Sequence, residues 1–123
     1  MALHEYDISI EQRPNDVLLR LGRAIVGITI YSSEPFGMTS YYKDLSFVIE
    51  KEPQNLLALH YLAIYYEKKG LEGKSYLNTA KIAMINSNFA IAERMAKAAL
   101  SKLQQGSPDW YKAKDIIDSI NSD

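Results

Sequence analysis

Two histidines, His4 and His60, are the chain's only imidazoles, and no cysteine accompanies them. A thiol nucleophile, a thiolate zinc site and an iron–sulfur cluster are therefore excluded. The histidines lie far apart in sequence, and His60 has no carboxylates at ligand spacing, so no metal site is expected. The HExxH, GxSxG and GxxxxGKS patterns are missing, as is any glycine-rich phosphate loop. Asp115 and Asp118 stand three residues apart and would share one helix face. Paired carboxylates can do acid–base chemistry, but a solvated terminal helix face explains this pair more simply. The sequence thus predicts no catalytic residue, no cofactor and no enzyme activity.

Charge and aromatic residues carry more information. Fourteen Lys and Arg face fifteen Asp and Glu, a net charge near −1. That balance argues against nucleic acid as a partner, since phosphate binding calls for a basic excess. Nine tyrosines are present, and five cluster as Tyr41, Tyr42, Tyr61, Tyr65 and Tyr66. An aromatic body with a polar tip suits an interface. The Leu59–Leu62 stripe points to Tyr66 as a core residue, with Tyr61 and Tyr65 flanking it.

Helices must position these groups. His4 to Ile10 alternates polar and apolar residues, which is strand spacing. No second strand follows, so residues 1–13 read as an extended arm closed by Pro14. Residues 14–123 read as a single domain of about six helices. Pro14-Asn15-Asp16 opens the first, which runs to about Tyr31. Ser32 to Gly37 reads as a loop, with Thr39 or Ser40 capping the second helix, which stops before Pro53. The third runs from Gln54 to Lys69, with Gly70 in the left-handed conformation. The fourth covers Gly73 to Ile85, and the fifth ends before Gly106. Ser107-Pro108-Asp109 opens the sixth with a cap, a first-turn proline and a first-turn acid. No stretch is long and apolar enough to span a bilayer, no secretory signal opens the chain, and a cytoplasmic protein is the default.

A short pattern recurs along the helices. Leu18, Leu21 and Gly22 precede Ala24; Leu59, Leu62 and Ala63 follow in the third helix; Ala92, Met95 and Ala96 follow in the fifth. The small residue falls at positions 22, 63 and 96, where it lets a neighbouring helix come close. Self-similarity of this kind marks a repeat architecture. The pattern resembles the tetratricopeptide repeat, a helix-turn-helix unit, over roughly residues 15–121. Leu18, Leu21, Gly22 and Ala24 match the family's first-helix signature, as do Leu59, Leu62, Ala63, Tyr66 and the turn glycine Gly70. Glu50-Lys51-Glu52-Pro53 resembles the acidic-Pro ending of a second helix. Trp110 and Ala113 fit the aromatic and small positions of a second helix. Phe89, Ala92, Ala99 and Leu100 fit a second helix nearly as well as a first, so which helices pair stays open.

The resemblance implies an all-α fold, a right-handed stack of three αα-hairpins, and a concave groove lined by first helices. Carried over by position, that groove would present Arg20, Arg23, His60, Tyr61, Ile64, Arg94 and Lys97. The four cations would favour an acidic peptide or partner protein, and Tyr61 with Ile64 an apolar side chain. The expected function is a non-enzymatic protein–protein interaction or scaffold module, with no nucleic-acid or membrane partner. A self-associating structural subunit, a homo-oligomer formed through terminal helix faces, is the alternative.

Overall fold

The computed structural model describes residues 3–30 and 39–122. Among the described residues every regular element is an α-helix, and there are seven: α1 (Leu3–Gln12), α2 (Val17–Ile30), α3 (Thr39–Lys51), α4 (Leu56–Lys68), α5 (Glu72–Ile85), α6 (Phe89–Lys102) and α7 (Pro108–Asn121). The all-α expectation holds. The loop expected at residues 32–37 falls outside the described residues, as does the side chain of Thr39, and Ser40, the other expected cap, lies within α3. No described helix is long and apolar enough to cross a membrane.

The extended N-terminal arm is corrected, because residues 3–12 form α1. The polar–apolar alternation there coexists with helical spacing at Leu3, Tyr6 and Ile10, and tertiary packing selects the helix. Ile10 is buried, and the Tyr6 ring lies directly over Gly22 of α2. A methyl group at Gly22 would stand 2.5 Å from the Tyr6 hydroxyl, so the small residue permits this contact.

Helix boundaries follow local chemistry. Asp16 caps α2, its carboxylate accepting the Leu19 amide at 3.0 Å. Asn55 caps α4 by accepting the Ala58 amide at 2.9 Å, and Ser107 caps α7 by accepting the Trp110 amide at 3.2 Å. Gly70 and Gly106 both hold positive φ, 78° and 85°, in the turns after α4 and α6.

Each helix packs against the next in the chain, and α2 also meets α4 while α5 meets α7. One core gathers Leu21, Ala24, Ile28, Leu45, Val48, Ala58, Leu62 and Tyr65 from α2, α3 and α4. A second joins Leu77, Ala99 and Ala113 from α5, α6 and α7. The burial pattern has a strict period. Ala24, Ala58 and Ala92, each 34 residues from the next, are all 0% exposed, and Ile28, Leu62 and Ala96 are buried at the same interval. Tyr42, Tyr76 and Trp110 keep that interval on α3, α5 and α7. The motif read at positions 22, 63 and 96 has unequal gaps, and the regular 34-residue interval is carried by other positions. The buried alanines of α2, α4 and α6 sit where a longer side chain would push neighbouring helices apart.

Tyr65, not Tyr66, is the buried tyrosine of α4. It stacks on Tyr42 at 4.8 Å between ring centres, while Tyr66 meets Tyr42 edge-on at 6.1 Å. Helix α4 packs against both α3 and α5 and therefore buries two faces, which a single apolar stripe does not anticipate.

Candidate functional site

The same 34-residue interval separates two buried polar groups. Asp44 and Asn78, buried and 34 residues apart, each reach back to the helix before. Asp44 is 1% exposed, and its carboxylate accepts from Arg23 of α2 at 2.8 Å (Nε to Oδ2) and 2.7 Å (Nη2 to Oδ1). Arg20 adds a longer contact at 3.4 Å. The bidentate fork supplies the compensation that a buried carboxylate requires. Its hydrogen bonds with Asp44 push the Arg23 guanidinium pKa further up, against the opposing effect of burial. Arg23 also donates to Asp7 of α1 at 3.1 Å, so one side chain ties three helices together. Asn78 donates to the Leu59 carbonyl of α4 at 3.4 Å. The next position in the series is Lys112, which is exposed and stands 3.8 Å from Asp109.

A groove of about 410 Å³ opens beside this series, across α3, α4, α5 and α7. Its floor is Leu59, Leu62 and Leu77, with Tyr42 and Tyr66 on one wall. Ser46, Ile49 and Glu50 come from α3, Lys74, Asn78 and Lys81 from α5, and Asp109 and Lys112 from α7. Steps of three and four residues set these groups on one face of each helix. Lys74 bonds the Asp109 carboxylate and lies 5.7 Å from the centre of the Tyr66 ring. A wider, open depression of about 750 Å³ adjoins the groove, sharing Lys74 and Asp109 with it.

The electrostatics of the groove are those of crowded cations. Burial, then the neighbouring charge of Lys112, lowers the Lys81 pKa, against the opposing pull of Asp109. Burial alone would raise Asp109, but its hydrogen bond with Lys74 and the charges of Lys74, Lys112 and Lys81 hold it below the usual carboxylate value. Burial and a hydrogen bond with Tyr42 push the Tyr66 phenol upward, so it is a neutral hydroxyl at pH 7. Among the described residues no group of three or more His, Asp or Glu could hold a metal ion. Three ammonium groups and the two carboxylates of Glu50 and Asp109 thus stand over an apolar floor.

None of the seven residues expected in a groove lines this one. Arg20 and Arg23 are bonded to Asp44 and have structural work there; Arg20 also donates to the Pro14 carbonyl at 2.8 Å and covers the Phe47 ring at 4.6 Å. Tyr61 and Ile64 pack against the N-terminal core, and exposed His60 meets the Tyr61 ring edge-on at 5.2 Å. Arg94 is exposed, and Lys97 pairs with Glu93 of its own helix at 2.8 Å. The structure brings Arg20 together with Arg23, and His60 with Tyr61. Among the described residues, no hydrogen bond, ion pair or ring contact joins either set to Arg94 or Lys97. The groove residues Lys74, Asn78, Lys81 and Lys112 escaped the sequence reading because that reading aligned α2, α4 and α6. The aromatic series Tyr42, Tyr76, Trp110 was the signal that would have directed attention to α3, α5 and α7.

Compared with known proteins, the chain matches no family model, and no curated protein or solved structure matches it significantly.

Proposed function

We propose that the chain is a non-enzymatic, tetratricopeptide-like interaction module that holds an acidic peptide segment in the groove across α3, α5 and α7. In this reading the helix pairs are α1–α2, α3–α4 and α5–α6, with α7 closing the stack. The 34-residue interval linking Ala24, Ala58 and Ala92 makes α2, α4 and α6 equivalent, as this pairing requires. The observation that carries the functional reading is the excess of ammonium groups over an apolar floor: Lys81 and Lys112 stand beside Lys74, which bonds Asp109, with Glu50 the other lining carboxylate. Such a surface offers charge-assisted hydrogen bonds to carboxylates and burial to an apolar neighbour in the same peptide. The expected cations Arg20 and Arg23 have no part in it.

The self-associating alternative needs an apolar terminal face. On α5, Leu77 and Ala80 are buried by neighbouring helices; the residues 34 further on, in α7, are Tyr111, 52% exposed, and Lys114, also exposed. Hydroxyl and charge at those positions suit an end cap rather than an oligomer interface.

A randomised peptide display library, selected against the full chain and against Lys81→Glu with Lys112→Glu, tests the reading. Enrichment of acidic peptides by the unaltered chain, lost in the double variant and weakened by salt, is expected. Equal enrichment by both proteins, or selected peptides without an acidic excess, would remove the groove assignment.

A further inference from the structure

The three lysines of the groove are not equivalent. Lys74 bonds Asp109, and Lys112 stands 3.8 Å from the other oxygen of that carboxylate. Lys81 is half-buried, lines the same cavity, and has no bonded carboxylate among the described residues. The charged and titratable groups around it are Lys74 on its own helix, Asp109 and Lys112 on α7, Tyr66 on α4, and Tyr42 and Glu50 on α3. An amine desolvated beside other cations is the arrangement that makes a lysine nucleophilic.

We propose that Lys81 is a covalent-modification site whose amine condenses, inside the groove, with a small aldehyde that carries a carboxylate. The cavity admits the reagent, and the Lys112 ammonium supplies a counter-charge for its carboxylate. The lowered pKa of Lys81 leaves more of its amine unprotonated at neutral pH than in an exposed lysine. The Nζ lone pair attacks the carbonyl carbon, and the displaced π pair goes to oxygen, which takes a proton to give a carbinolamine. Loss of that hydroxyl as water, with a proton from nitrogen, leaves the imine. Amine and aldehyde become imine and water, with no change of oxidation state. This chemistry requires the cavity and its cations and is independent of a peptide ligand.

Reductive trapping tests it on the full chain. The protein is exposed at neutral pH to glyoxylate, and in parallel to acetaldehyde, each with cyanoborohydride, which delivers hydride to the imine carbon. Peptide mass mapping of timed samples then ranks the ten lysines. Glyoxylate is expected to modify Lys81 severalfold faster than exposed Lys97, with a smaller preference for acetaldehyde. Lys112→Gln alters an exposed side chain and should slow Lys81 severalfold while leaving Lys97 unchanged. Labelling of Lys81 no faster than Lys97, or unaffected by Lys112→Gln, or favoured equally by the neutral aldehyde, would overturn the proposal.

Discussion

Replacing Arg23 by Met should destabilise the fold far more than a surface ion pair would. The substitution keeps the aliphatic stem and removes the fork that bonds Asp44 at 2.7 and 2.8 Å. The carboxylate stays 1% exposed and keeps only the 3.4 Å contact from Arg20. Stripping a buried charge of its partner costs about 3–5 kcal/mol. Arg20 persists and the outer edge of the network is wet, so the expected loss is at the low end, about 3 kcal/mol. At roughly 3–5 °C per kcal/mol for a chain of this size, Tm should fall by roughly 9–15 °C. Urea titration monitored by circular dichroism gives the free energy, and a thermal scan gives the shift. The double variant Arg23→Met with Asp44→Leu removes the orphaned charge and should recover most of the loss. A single-variant loss below about 1 kcal/mol would put the pair in the class of surface salt bridges. The assignment of Arg23 to structure rather than to ligand would then fail.

Three further outcomes follow from other parts of the fold. Gly27→Val places a branched side chain where even a Cβ would lie 2.4 Å from the Tyr41 ring, and overpacking of about 1–3 kcal/mol should appear in urea titration. A variant as stable as the parent would show that the ring moves aside freely. Ser107→Ala removes the cap of α7 and should lower stability by about 1 kcal/mol, with Ser107→Gly losing only a few tenths; equal losses from both would point to something other than the cap. Asp109→Asn tests the groove electrostatics through pH. The folded-state pKa of Asp109 is depressed, so the unfolded chain binds more protons between the two values and the carboxylate's contribution grows as pH rises there. The variant should be less stable than the parent at pH 7, and the gap should close as pH falls below the ordinary carboxylate value of 3.8. A gap independent of pH would mean that the loss does not come from the ion pair with Lys74.

The helices after Pro14 are legible because their punctuation is chemical and local. Ser107, Gly70 and Gly106 each mark a boundary by what their own side chain or backbone can do. α1 is not legible in that way. His4 to Ile10 satisfies a period of two as well as a helical one, and the burial of Ile10 with the fit of Tyr6 over Gly22 decides between them. The same limit applies to Tyr65 and Tyr66. They are neighbours on one helix, and which is buried depends on how α4 is wedged between α3 and α5.

The groove across α3, α5 and α7 is hard to see in the sequence for a related reason. Residues 44, 78 and 112 occupy one position of the 34-residue interval, on α3, α5 and α7. Asp44 is saturated by Arg20 and Arg23 from α2, and Asn78 is spent on the Leu59 carbonyl of α4. Lys112 has no such bond to α6 and stands in solvent beside Asp109. A polar side chain already committed to the fold cannot be given to a ligand without leaving a buried group unpaired. The position therefore serves structure at the N-terminal end of the series and becomes free at the C-terminal end. Sequence alone ranks Arg20 and Arg23 above Lys112, since all are cations and the arginines bind carboxylates better. Their partner lies twenty or more residues away, and burial, not residue type, decides that the carboxylate they bind is the chain's own.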